Sequence, residues 1–246
     1  MVSEQMQLLN ETSLAETIDA INEAVFFGRK LSKADKVKTA GWIAGRFGQP
    51  NSYSGLFAPT ANDMKTGIKV FTGEPVKSRA GSSHIIGEEA CCAIMLLGAP
   101  NAAIRKSLAA ATEGFTLALA RHAEMGGTPG MFCCGICSAA LWRNLQSGAM
   151  NDALGGEGSI EKRLSDGMKA LTEHRNPDGK WRRFPFWYTV LALSGIDKGL
   201  WPKAAKLARA EIGYIAPILE RAVSLDPGPD KYAIRRHTLA IRALGG

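Results

Sequence analysis

The spacing of apolar residues along the chain is that of helices. Leu14, Ile18, Ile21 and Val25 recur at intervals of three and four and share one helical face, and Ser13 followed by Glu16 supplies a capping-box start. Ser32 and Asp35 repeat that start ahead of Val37, Ala40, Ile43 and Ala44. Thr60 and Asp63 mark a third start, with Gly73 as its expected end. Four further helices are expected from about Ser83 to Gly98, Asn101 to Met125, Met131 to Ser147 and Ser159 to His174. Three more open at Pro185, Pro202 and Asp230, and Pro217 is expected to kink the ninth. The glycine- and proline-rich stretches around Gly126, Gly155, Asn176 to Gly179 and Asp226 to Pro229 break the pattern as turns. No alternation of period two is sustained. The chain therefore reads as all-α, about ten helices in a single helical-repeat domain over residues 1–246.

The even-numbered helices start near residues 33, 83, 131, 184 and 230, at gaps of 50, 48, 53 and 46 residues. Such regular spacing is that of a repeated helix hairpin. Ser159 to His174 carries charge along one face, whereas Phe184 to Ile196 is apolar nearly all round and Ile85 to Leu97 mostly so. A helix apolar on every side has to be buried. The simplest arrangement puts amphipathic helices outside and apolar ones inside, curving into a ring or arc of the αα-toroid kind. The N-termini of the inner helices then share one rim, which favours anions. The centre would be an apolar, aromatic-lined cavity suited to a hydrophobic ligand with an anionic head.

Hydrophobic residues make up 46% of the chain and charged residues 22%, an ordinary globular balance. No run approaches the ~18 apolar residues of a membrane span, and Met1 to Asn10 lacks a basic start followed by an apolar stretch, so a cytoplasmic location is expected. The net charge of +7 is spread along the chain, with a denser group at Lys231, Arg235, Arg236 and Arg242. That is not the clustered pattern of a nucleic-acid binder. The five cysteines, an odd number, argue for reduced thiols and against a disulfide framework.

Asp178-Gly179-Lys180-Trp181, then Phe184 to Thr189 and Leu193-Ser194-Gly195, resembles one repeat of the protein-prenyltransferase and terpene-cyclase superfamily. In that superfamily an Asn/Asp-Gly turn with a following aromatic joins an outer helix to an inner one. The resemblance covers residues 159–196 well, and implies an αα-toroid and an isoprenoid-like ligand. Prenyltransferases also hold a zinc ion through an aspartate, a cysteine and a histidine. Cys137 stands in the place of the cysteine, but Gly135 replaces the aspartate and Tyr188 the histidine. The aspartate-rich acid motif of squalene-type cyclases is missing.

Three groups of residues bear candidate chemistry. His84, Glu88 and Glu89 begin an otherwise apolar helix, and His84 and Glu88, four apart, are spaced to form an acid–base pair or a charge-compensated helix start. Cys133, Cys134 and Cys137 fall within one turn. Cys133 and Cys137 would share a face, and Cys134 and Cys137 are near enough to meet. They read as small packing residues, as a zinc site completed by His84, Cys91 or Cys92, or as a nucleophilic thiol if Cys133 or Cys134 sits on the first helical turn. Arg182 and Arg183 precede the aromatic run Phe186, Trp187 and Tyr188; an anionic ligand group or an acidic residue of the next repeat would suit them, with the rings lining a cavity or filling the core. A small apolar ligand, a non-catalytic interaction scaffold and a thiol or zinc protein are the resulting functional expectations. An incomplete ring would also have room to close against a second copy.

Overall fold

The computed structural model describes residues 7–245, which contain ten helices and one two-residue hairpin. The fold is all-α. The chain divides into two compact units. The first holds the described residues up to Lys69 together with Pro75–Phe115; the second holds Val70–Glu74 and everything from Thr116 onward.

In the first unit α1 (Leu14–Phe26), α2 (Lys33–Ala44), α3 (Ala61–Thr66) and β2 (Pro75–Val76) pack against α4 (Arg79–Leu96). Every residue of α4 from Ser82 to Ile94 is buried, as its apolar character requires. The cap signals behave as local chemistry dictates. Thr60 and Asp63 form a reciprocal capping box on α3. The Asp63 carboxylate also accepts from Ser13 Oγ at 2.6 Å and from Leu14 N at 3.0 Å, so one buried acid serves two helix N-termini.

Two glycines in helices show what close packing demands. Gly114 of α5 (Ala102–Glu124) lies where an added Cβ would stand 2.5 Å from the backbone oxygen of Ser54, whereas nothing lies within 4 Å of one added at Gly41 of α2. Backbone cannot swing away as a side chain can. Gly114→Ala is therefore expected to cost ~1–3 kcal/mol. Gly41→Ala is expected to stabilise by ~0.5–1 kcal/mol. Thermal unfolding of the two variants should move in opposite directions.

The structure corrects three boundaries. The fourth helix starts at Arg79, capped by Ser78 whose side chain accepts from Gly81 N, so His84, Glu88 and Glu89 lie inside it rather than at its start. Its small, polar first turn carries no apolar period. The third helix ends at Thr66, and the chain up to Gly73 instead forms β1 (Ile68–Lys69), paired antiparallel with β2 in the register Ile68↔Val76 and Lys69↔Pro75. Two-residue strands are too short to show alternation. The sixth helix starts at Gly135, which leaves Cys133 outside it.

The second unit contains α6 (Gly135–Gln146), α7 (Glu157–Thr172), α8 (Phe186–Ser194), α9 (Pro202–Val223) and α10 (Lys231–Gly245). Within it α6, α8 and α10 pack in succession as one layer, and α7 packs on α9 as the other. In this unit the apolar α8 packs among α6, α9 and α10, and the amphipathic α9 packs on α7, α8 and α10. Pro202 opens α9, which continues through Pro217. The residues 70–74 are held here too. Arg235, 1% exposed, lies over the Phe71 ring and donates to Phe71 O at 2.9 Å; Arg236 donates to Thr72 O at 2.7 Å. Glu74 Oε1 accepts from Tyr188 N at 3.0 Å. Two members of the basic C-terminal group are therefore structural. No described helix is long and apolar enough to cross a membrane.

Candidate functional site

The approach to α6 is tightly fixed. Trp142 Nε1 donates to Gly130 O at 2.8 Å, and Ser138 Oγ accepts from Phe132 N at 3.0 Å. These bonds hold the loop before the helix against the helix's own second and third turns. Cys133 then adopts a left-handed conformation, with φ at 50°. A residue with a Cβ pays ~1–2 kcal/mol for that backbone. Cys134 follows in an extended conformation as the N-cap of α6, where a serine or aspartate oxygen would ordinarily cap the free N–H groups. Gly135 comes next. A Cβ there would fall 2.2 Å from the backbone oxygen of Arg183, so only glycine lets the two segments touch.

Cys137 is the third residue of α6, in its first turn, and the Sγ atoms of Cys134 and Cys137 are 3.4 Å apart. Cys133 and Cys134 are exposed and Cys137 is buried. The Cys134 thiol is pulled down to about 5, first by the hydrogen bond with Cys137 Sγ, then by the N–H groups of Cys137 and Ile136 and by the Cys133 side chain, against the opposing effect of burial. At neutral pH Cys134 is thus a thiolate and the Cys137 S–H its donor. All three sulfur atoms lie within 4.8 Å of one another. That spacing suits either a dithiol that closes to a disulfide or three thiolates around one thiophilic ion, since zinc–sulfur bonds of ~2.3 Å place two ligand sulfurs just under 4 Å apart.

The other candidates are placed differently. His84 Nε2 and Glu88 Oε1 are 2.6 Å apart and both side chains are buried. The Tyr53 and Phe115 rings flank His84 at 4.7 and 5.5 Å. Glu89 accepts from Asn22 Nδ2 at 3.4 Å. Burial pushes the Cys91 thiol well above its ordinary range, assisted by the neighbouring Cys92 and Glu88. These groups belong to the core of the first unit, while Cys133, Cys134 and Cys137 belong to the second.

Arg182 is exposed and donates to Glu173 O at 3.3 Å, a partner neither anionic nor acidic. Arg183 is exposed, with φ at 66°. The aromatic run packs on itself. Phe186 stacks on Trp181 with centroids 5.8 Å apart and meets Trp187 edge-on at 5.1 Å, while Tyr188 is fully buried beneath Arg143. Trp142 stacks on Phe184 at 5.8 Å.

Sequence spacing brought Cys134 and Cys137 within reach of each other, but paired Cys133 with Cys137 equally well. It missed the contact of Arg183 with Gly135, for which the run of positions carries no signal. The chain matches no protein-family model, no curated protein and no solved structure.

Proposed function

We propose that this protein works through a reactive dithiol, carrying out thiol–disulfide exchange with Cys134 as the attacking thiolate and Cys137 as the resolving thiol. The observation that carries the reading is the 3.4 Å contact between an exposed sulfur at a helix N-cap and a buried sulfur in the first turn of that helix. The Cys134 thiolate attacks a substrate disulfide, forms a mixed disulfide and expels one thiolate, which takes up a proton. Cys137, losing its proton to solvent, then attacks the Cys134 sulfur, expels the second thiolate and closes a Cys134–Cys137 disulfide. Two protein thiols are oxidised and one substrate disulfide is reduced to two thiols.

The rings that an apolar or isoprenoid-like ligand would contact, Phe186, Trp187 and Tyr188, are engaged with Trp181, Arg143 and one another. For that reason the thiols carry the proposal.

The test is mass spectrometry of the reduced protein after mixing with oxidised glutathione. The wild type should lose two hydrogens, mapped to a Cys134–Cys137 bond. Cys137→Ser should stop at a glutathione adduct on Cys134, and Cys134→Ser should form neither product. Purified protein that carries stoichiometric zinc, and exchanges only once the ion has been stripped, would overturn the redox reading in favour of a metal site.

A further inference from the structure

Two residues of the second unit that are not glycine adopt a left-handed conformation on either side of the approach to Gly135. Cys133 has φ at 50° and Arg183 has φ at 66°. The Arg183 carbonyl rests against the α-carbon of Gly135, the residue after the attacking cysteine. Backbone strain of this kind persists where surrounding structure enforces it, and it gathers at functional sites. A glycine would satisfy both the turn and the close approach at position 183, yet the chain places an arginine there.

The side chain of Arg183 is exposed, and no hydrogen bond or ion pair engages it among the described residues. Its neighbour Arg182 is engaged with the Glu173 carbonyl. Packing therefore gives no reason for the Arg183 guanidinium. Arg183 thus carries an unengaged cation on the residue whose carbonyl touches Gly135, next to the positive end of α6, and such a charge attracts substrates that carry negative charge.

We propose that Arg183 is a specificity residue of the dithiol site and that the substrate is a disulfide bearing a carboxylate close to its sulfur atoms. The inference rests on the dithiol reading and adds to it the chemical class of the substrate. The guanidinium receives the carboxylate in a forked hydrogen bond, which brings the disulfide over Cys134 Sγ. An arginine serves here better than a lysine because the fork fixes orientation as well as charge.

The experiment compares second-order rates of Cys134 oxidation by three disulfides of similar size: 3,3′-dithiodipropionate, which is anionic, 2-hydroxyethyl disulfide, which is neutral, and cystamine, which is cationic. Each is run on the wild type and on Arg183→Gln, a substitution that keeps the backbone conformation and removes the charge. The intrinsic reactivities of the reagents cancel in the ratio between the two proteins. Arg183→Gln is expected to slow the anionic reagent about fivefold, leave the neutral one unchanged and speed the cationic one, with the differences shrinking as salt is raised. Neutral iodoacetamide should alkylate both proteins equally, which shows that the variant keeps its fold and its thiolate. Equal slowing or no change across the three disulfides would overturn the role of Arg183 while leaving the dithiol intact. A wild type whose Cys134 exchanges with none of them would overturn the dithiol reading, and the inference with it.

Discussion

Alkylation of Cys134 by iodoacetamide should hold a level rate as pH falls from neutrality and reach half its plateau near pH 5, where the thiolate is lost. An ordinary cysteine would reach that half-point near 8.5. The difference is assigned first to Cys137, whose sulfur contacts Cys134 at 3.4 Å, and second to the N–H groups of Ile136 and Cys137. Cys137→Ala separates the two causes because it deletes the S–H and keeps the helix. A hydrogen bond to a charged group contributes ~1.5–3 kcal/mol, and one pKa unit corresponds to ~1.4 kcal/mol. The half-point of Cys137→Ala should accordingly rise by about one to two units and stop short of 8.5, where the backbone N–H groups still act. A wild-type half-point already near 8.5 would sink the assignment. Stability follows the same sign. The folded-state value lies below the unfolded one, so relative to Cys134→Ser the protein gains stability as pH rises from about 5 toward 8.5, and loses that gain as pH falls through about 5. Cys134 is exposed, so the gain is modest.

The parts of the fold that were legible in the sequence are those governed by local chemistry. Thr60 and Asp63 cap α3, Ser13 accepts from Glu16 N, Pro202 opens α9 and Asp230 caps α10, each as its residue type dictates. The alternation of apolar α8 with amphipathic α7 and α9 was equally readable, because burial on all sides or on one side leaves a periodic trace. The site was legible only in part. Its thiols stood out by composition, and the three-residue spacing of Cys134 and Cys137 allowed contact. Which cysteine stands at the N-cap position depends on the helix beginning at Gly135, where the left-handed turn at Cys133 and the carbonyl of Arg183, a residue distant in sequence, meet the chain. The double use of Asp63 and the docking of residues 70–74 on Arg235 and Tyr188 are long-range in the same way. Periodicity reports which face of an element is buried, and is silent on what buries it.

Glu211→Ala should lower stability by ~3 kcal/mol, the loss expected when one partner of a buried charged pair is removed. The residue is 1% exposed on α9, and its carboxylate gathers the end of α7 and the turn that follows. Arg175 grips it with a fork, Nη2 to Oε1 at 2.7 Å and Nε to Oε2 at 3.2 Å. Thr172 Oγ1 and Trp181 Nε1 donate at 2.7 and 2.8 Å. Every partner is a donor; alanine deprives Arg175 and Trp181 Nε1 of this acceptor, while Thr172 Oγ1 keeps Met168 O at 3.2 Å. Arg175 is a third exposed and regains some water, which places the cost at the lower end of the range for buried pairs. Glu211→Gln keeps one acceptor oxygen but turns an amide N–H toward donors, and should recover less than half of the loss. The surface triad of Asp166 with Lys162 and Lys169 supplies the contrast. Those lysines are 76% and 66% exposed, and Asp166→Ala should change stability by no more than ~0.5 kcal/mol. In a chain of this size ~3 kcal/mol corresponds to a fall in Tm of about 6–12 °C, measurable by calorimetry, and Trp181, now 4% exposed, should shift its emission to the red as the turn loosens. A fall no larger than that of Asp166→Ala would show that Glu211 is not the anchor of this turn. The turn leads directly to Arg183, so its loosening should also weaken the discrimination between anionic and cationic disulfides without removing the reactivity of Cys134. Position and charge at residue 183 are separable contributions, and Glu211→Ala disturbs the first while Arg183→Gln removes the second.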